Sequence, residues 1–380
     1  MTEKKRQHYV PVFYLKLFSD DAEQRRISLF HLGSQRLIPN VSIKRQAYKD
    51  NFYGSDKIFD SVFESLEYRS SEVLSEIISK NNHPRYYSKE HHVMLTFAMM
   101  LHARTLYSAE TLDEFWDHIF KTALSRNRDY KNYPEETEIR FHNSAQMAVQ
   151  CATSVIHIVA DLGYKLLINE TATPFITSDH PVVFYNQFLE NRRTWGSNTG
   201  FASKGLQVFL PISPRHQLIF YDQDVYKVSG YFNKPICLKD QEDIDSLNGL
   251  QLLNAHTNLY FNLAVSSEYL KSLFSRFSPH RRTAKSDAEE FYSEPNENGS
   301  NQSMILHTYQ QDIRCGFLVS CITLTKKAKR FKLDNRAIYV RNETICRIDA
   351  EFTSLVRAGV YKYGEFNRFF KDKYGSRFKK

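Results

Sequence analysis

Four side chains in this sequence are of the types that move protons or hold anions, and they lie far apart along the chain: His8, Glu67, Arg104 and Asp179. A histidine can take or give a proton, a carboxylate can orient it or act as a base, and an arginine can hold a phosphate in its planar fork. With His180 and Asn248 added, the set has what acid–base or metal-assisted hydrolysis of a phosphodiester requires. The same residues could equally form a buried polar network that fixes the fold. A divalent metal stays open, and no other cofactor is implied. Asp179 stands in Ser178-Asp179-His180-Pro181, between the apolar runs Phe175-Ile176 and Val182-Val183-Phe184-Tyr185. β-Branched and aromatic runs broken by Asp and Pro read as strand, turn, strand. Asp179 then either closes a turn on its own backbone or projects from the turn as a functional group. The shared-site reading expects His8 and Asp179 in one polar pocket, with Arg104 and Glu67 on its wall.

The elements that would position these residues follow from periodicity. Pro11 opens a short helix carrying Phe13, Tyr14, Leu17 and Phe18, so His8 sits just before a rigid element. Residues 26–39 read as a hairpin whose two-residue turn is Gly33-Ser34. Residues 58–80 form a helix, and Glu67 falls inside its apolar stripe, about 40° from Phe63 and about 20° from Leu74 at 100° per residue. A carboxylate there needs a partner, or must reach solvent from the margin. Ser88 caps a helix over 89–108 that is apolar nearly all round, with His102 and Arg104 near its end. Glu67 is a candidate partner for Arg104. Helices over 109–126 and about 135–162 follow, the latter with a polar column of Asn143, Gln146, Gln150 and His157 expected to face solvent.

From 164 the pattern turns to strands, over 164–169, 175–176, 182–185, 206–211, 217–221 and 225–228, with a helix over 243–256. The stretch 186–204 is long and polar, a loop of functional length. Helices first and strands afterwards predict an α+β fold, its helical first half packed on a mainly antiparallel sheet. That domain spans 1–280. Residues 281–303 read as a linker, and 304–380 as a basic C-terminal α/β segment with strands over 304–309, 316–324 and 337–340 and a helix near 347–358.

Composition is that of a globular protein, 42% apolar and 25% charged. No run approaches the ~18 apolar residues of a membrane span, and the charged N-terminus lacks a signal-peptide core. Five cysteines outside Cys-x-x-Cys spacing point to reduced thiols in a cytoplasm. The charge is uneven. Residues 304–380 hold 17 Lys+Arg and 7 Asp+Glu, a net of +10, against +8 for the whole chain and so −2 for the rest. Such a segment suits a polyanion, nucleic acid first, through Lys326, Lys327, Lys329, Arg330 and Lys332, or else a solvated surface. The sequence has no phosphate-binding Gly-x-x-x-x-Gly-Lys loop, no dinucleotide-binding glycine pattern, no His-Glu-x-x-His and no Gly-x-Ser-x-Gly. Oligomeric state is not legible.

Two motifs in this order carry a resemblance. The N-terminal run Gln7-His8-Tyr9-Val10-Pro11-Val12-Phe13-Tyr14-Leu15 and the later Thr177-Ser178-Asp179-His180-Pro181-Val182, followed by Pro211-Ile212-Ser213-Pro214, together resemble a bacterial domain-of-unknown-function family, number 4238. The resemblance covers roughly residues 7–265 and brings no established activity. Its members look like scattered, accessory bacterial proteins, which implies a stress or phage-defence setting by association. Two functions stay open: a nuclease or other hydrolase acting on nucleic acid or nucleotides, and a non-catalytic nucleic-acid-binding or adaptor protein.

Overall fold

The computed structural model describes residues 6–19, 21, 23–55, 57–126, 137–191, 196–231, 234–292, 304–334 and 338–374. The chain is α+β, with helices mainly in its first half and sheets that are mostly antiparallel. Strand Ile236–Leu238 is an exception, pairing parallel to Gly163–Asn169.

The central sheet has five strands, in the order Ile236–Leu238, Gly163–Asn169, His216–Tyr221, Gln207–Ser213 and Val183–Tyr185. Alternate side chains leave its two faces, and both are buried. Leu166, Val208, Leu218 and Phe220 pack with Met94, Phe97 and Leu101 of helix Lys89–Ala103. Leu167, Phe209 and Ile219 pack instead with Ile244, Leu247 and Leu250 of helix Gln241–Asn254. The sheet is thus the middle of three layers, which is why its strands read as nearly unbroken apolar runs. A second sheet, ordered Arg36–Ser42, Arg26–His31, Asn258–Phe261, Thr177–Ser178, carries the start of the Thr-Ser-Asp-His-Pro stretch. The hairpin at its edge pairs His31 with Arg36, so the turn has four residues, 32–35, and the residue with positive φ is Gln35, at 51°, rather than Gly33.

Helix Lys57–Lys80 lies where the periodicity puts it, and the Ser88 hydroxyl accepts from the His91 amide as the expected cap. The next helix stops at Ala103 rather than 108. Thr105 accepts from the Ser108 amide and starts a new helix, Leu106–Ser125, so Arg104 stands at a corner between two helices. The following helix runs Ser144–Val155 and ends in a tighter turn, Ile156–Val159; residues 137–143, expected as its first turns, are not helical, and 135–136 lie outside the described residues. Its polar column does not simply face solvent. Gln146 donates to the Tyr53 carbonyl at 2.5 Å, and His157 meets Asp349 at 2.7 Å and stacks on Phe366 at 3.5 Å.

Residues 286–292 and 304–310 pair as an antiparallel hairpin, so part of the stretch expected as a linker is strand; residues 293–303, with 192–195 of the long polar loop, part of the 337–340 strand and the last basic residues, lie outside the described ones. Of the strand expected over 316–324 only Ile322–Leu324 forms. The rest is irregular and ends in a turn, with Ile322 N donating to the Val319 carbonyl; Phe317, Val319 and Cys321 are buried and Leu318 is 69% exposed. Its amides are held by side chains: Phe317 N donates to the Tyr185 hydroxyl, and Ser320 N to Asp243. Alternation alone cannot tell such a strap from a strand. Among the described residues no helix is long and apolar enough to cross a membrane.

Gly249, in the middle of helix Gln241–Asn254, lies against the buried Phe277 ring, where an added Cβ would press into the ring. Alanine gains about 1 kcal/mol of helix propensity, yet overpacking at such a contact costs about 1–3 kcal/mol. Gly249→Ala is therefore expected to lower the urea midpoint. An unchanged or raised midpoint would mean that the ring moves aside.

Candidate functional site

Helix Gln241–Asn254 is buried on nearly every side, yet it carries Asn248, Gln251 and Asn254 along one face. These amides read the backbone of 174–182. Asn248 accepts from Ile176 N and donates to the Pro174 carbonyl, both at 3.0 Å. Gln251 donates to the Pro181 carbonyl at 2.7 Å, and Asn254 to the carbonyls of His180 at 2.6 Å and Val182 at 3.1 Å. The Ser178-Asp179-His180-Pro181 turn is thereby fixed without solvent.

Asp179 itself is 2% exposed. One of its oxygens accepts from His256 N at 2.8 Å, and the other from Thr257 N at 2.8 Å and Asn258 N at 3.0 Å. Burial pushes its carboxyl up, against the pull of His256 and the three amides. The contact is not a turn closed on its own neighbours. It joins the 177–181 stretch to the end of helix Gln241–Asn254. His180 is fully buried, its Nδ1 2.7 Å from the Thr105 hydroxyl, and its ring centroid lies 4.7 Å from that of His102 and 4.6 Å from that of Tyr107. Burial holds His180 well below the usual histidine range.

Past this clamp, His256 turns its ring toward an open hollow of about 540 Å³, lined among others by Tyr107, Glu114, Arg281, Arg282 and Lys285. His256 Nε2 lies 3.2 Å from Glu110, which also meets Lys285 at 3.5 Å. Burial raises the Glu110 carboxyl, but His256 and Lys285 outweigh it and hold the group below its ordinary pKa. Lys285 is 3.0 Å from Glu114; burial acts against its charge, and the two glutamates more than offset that. The arginines are held by carbonyls: Arg281 donates to those of Leu252 and Ala255, Arg282 to that of Gln311 at 2.6 Å. Arg282 also lies 5.6 Å from the centre of the Tyr107 ring. The Tyr107 hydroxyl is buried, with no hydrogen-bond partner among the described residues.

His8, Glu67 and Arg104 do come together, in a different and smaller hollow of about 210 Å³ that also presents Arg6, Tyr53 and Asp60. Arg104 donates to Glu67 at 2.7 Å and to the His8 carbonyl at 2.7 Å, and lies 4.1 Å from the centre of the Phe63 ring. His8 Nε2 is 3.3 Å from the Lys44 carbonyl. Burial lowers its pKa, with Lys44 and Glu67 pulling the other way. Asp179 does not line this hollow. Lys326, Lys327, Lys329, Arg330 and Lys332 are all exposed around the buried Ala328, on and just after the short helix Lys326–Lys329. Among the described residues no group of three or more His, Cys, Asp or Glu side chains is arranged to hold a metal.

The family model of a protein of unknown function, DUF4238, matches residues 6–264. The chain belongs to the DUF4238 family. The DUF4238 match takes in His8, Glu67, Tyr107, Glu110, Asp179 and His256, and ends before Arg281, Arg282 and Lys285. No curated protein and no solved structure matches the chain. Sequence reading passed over the larger hollow and the Glu110 carboxylate behind its His256. Tyr107 and Glu110 sit three apart on one helix face, and Arg281-Arg282 stands in a stretch that looked like linker. Only the fold brings them to His256.

Proposed function

We propose that the protein is a hydrolase acting on nucleic acid or nucleotides, with the His256 hollow as its reaction site. The observation that carries this reading is the 3.2 Å contact of Glu110 with His256, whose ring lines a concave space where Arg281, Arg282 and Lys285 stand beside Glu114, Asp117 and Asp287. Glu110 accepts from Nε2–H, which leaves Nδ1 as the lone-pair base. Nδ1 takes a proton from the attacking water as oxygen bonds to phosphorus, and the bond to the leaving oxygen breaks. The proton then passes to the leaving group. Arg281, Arg282 and Lys285 supply preorganised charge for the phosphate oxygens. Asp179 enters as a positioning residue, since its carboxylate holds the His256 amide. His8, Glu67 and Arg104, with their hydrogen bonds to one another and to backbone, read as a fastening for the N-terminal strand. A stress or phage-defence setting rests on the family resemblance.

The test is turnover of labelled single- and double-stranded DNA and RNA and of nucleotides, with and without added divalent cations. His256→Ala should lower the rate by about 10²-fold or more, the usual weight of a positioned base, at an unchanged melting temperature. Turnover equal to that of the unaltered protein, or none on any of these substrates, removes the reading.

A binding protein without catalysis is the second reading, favoured by the five exposed cations at 326–332. Affinity for an oligonucleotide should then fall steeply with salt, with a log–log slope of about −0.9 per phosphate neutralised on duplex DNA. Reversing Lys326, Lys327 and Lys329 to Glu should flatten it. A slope indifferent to that change puts binding elsewhere.

A further inference from the structure

A third hollow, of about 490 Å³, shares no lining residue with the other two. Its walls include His102, Leu112, Phe115, Ala152, Phe184 and Phe201, and no Lys, Arg, Asp or Glu lines it. The volume suits a small molecule. An ionic ligand would find no countercharge there.

Several of its wall hydroxyls are already engaged inside the protein. Ser108 donates to the His102 carbonyl at 2.6 Å and Thr111 to the Tyr107 carbonyl at 2.9 Å. Ser197 and Thr199 both donate to Asp312, at 2.6 and 3.0 Å. His102 differs. Its ring lies flat on Phe184, with centroids 4.2 Å apart and planes 11° apart. Its Nδ1 is 3.3 Å from the Val182 carbonyl, which can only accept, so Nδ1 carries the hydrogen. Burial pushes the ring down to about 4, which keeps it neutral near pH 7. Nε2 is then a lone-pair acceptor, with no partner among the described residues. His307, Thr308 and Gln310 also line the space, from the strand Met304–Gln310, but His102 is the acceptor set flat on an aromatic ring, and a flat ligand with a donor on its edge matches it.

We propose that this hollow binds a small, flat, uncharged ring compound carrying an N–H donor, of the indole type, with His102 Nε2 accepting from that N–H. The site stands apart from the proposed hydrolytic one and holds whether or not that reading does.

Indole and 1-methylindole, which lacks the N–H, serve as probes in calorimetric titrations of the whole chain. Indole should bind one to one, and 1-methylindole at least about fivefold more weakly, as expected for one lost hydrogen bond. The difference should vanish in His102→Phe, which keeps the ring and removes the acceptor. Ala152→Phe should fill the space and abolish binding of both. Should that variant fail to fold, the unaltered protein still decides through Cys151, an exposed thiol on the wall. Saturating indole should slow its alkylation by iodoacetamide and leave exposed Cys237 unaffected. Equal affinity for the two probes overturns the proposal, as does the absence of both binding and Cys151 protection.

Discussion

Asp179→Ala is expected to lower the unfolding free energy by about 3 kcal/mol, since it strands three part-buried amides at roughly 1–3 kcal/mol each, less what water reaching them recovers. The amides of His256, Thr257 and Asn258 all point at this one carboxylate. A loss of that size is a large fraction of the roughly 5–15 kcal/mol that holds a typical protein folded. Asp179→Asn separates charge from geometry. Its remaining oxygen can still serve Thr257 and Asn258, while its NH₂ faces the His256 amide, so the cost should fall to about 1–2 kcal/mol. Urea denaturation of the three proteins checks the order. If alanine and asparagine cost the same, or neither costs anything, the carboxylate is not the clamp. Because the same amide contact sets the place of His256, both variants should also lower any activity of the His256 hollow, alanine more than asparagine.

Acidification from neutral pH toward about 4 should remove on the order of 5 kcal/mol through two histidines alone. His91 is fully buried, its ring stacked 4.3 Å from Tyr164, and His102 lies on Phe184. Burial pushes both down to about 4 from an ordinary 6.5. The sign follows from proton counts: below 6.5 the unfolded chain takes up protons that the folded chain refuses. The stability is complete above 6.5 and is lost as pH falls through the window down to about 4. Burial also lowers His8, His83, His180 and His216, which deepens the loss. Asp179 and Asp222, raised by burial, act in the opposite sense but in the carboxylate range. The slope above about pH 5 therefore belongs mainly to histidine. Urea midpoints at about pH 7 and about pH 5 should differ clearly in the unaltered protein and by less in His91→Phe/His102→Phe, where the other lowered histidines remain. Equal midpoints in the unaltered protein would show that these rings are hydrated.

The parts of the fold legible in the sequence are those where one local pattern decides the outcome. Helix Lys57–Lys80 followed from its stripe, the Ser88 cap from its residue type, and the strands near 164–169, 206–211 and 217–221 from apolar runs that a sheet covered on both faces requires. Glu67 and Arg104 were legible as a pair because each is a charge in an apolar stripe. Where two outcomes share one pattern the reading slipped. The alternating 316–321 stretch is irregular, its Phe317 and Ser320 amides held by side chains, and the polar 286–292 stretch is a strand without an apolar signature. The larger hollow stayed invisible because Tyr107 and His256 are ordinary residues until the Asp179 clamp brings distant segments to one wall. His8 and Asp179 are each prominent alone, and Asp179 is not among the residues lining the hollow that His8 shares with Glu67 and Arg104.

The strap that follows the second hairpin bears on how this family varies. Ile313, Phe317, Val319, Cys321 and Ile322 belong to the same apolar cluster as Leu167, Phe209 and Leu250, although the family match stops at 264. The stretch matched to the family is therefore shorter than the apolar unit of this chain. Any relative without an equivalent of this strap has to shield the helix Gln241–Asn254 side of its sheet by other means, such as a different tail, a companion chain or a more polar surface. Substitutions at Leu167 or Leu250 would then be judged by selection together with whatever each lineage lays over them, and the tail and the face beneath it would drift as a pair.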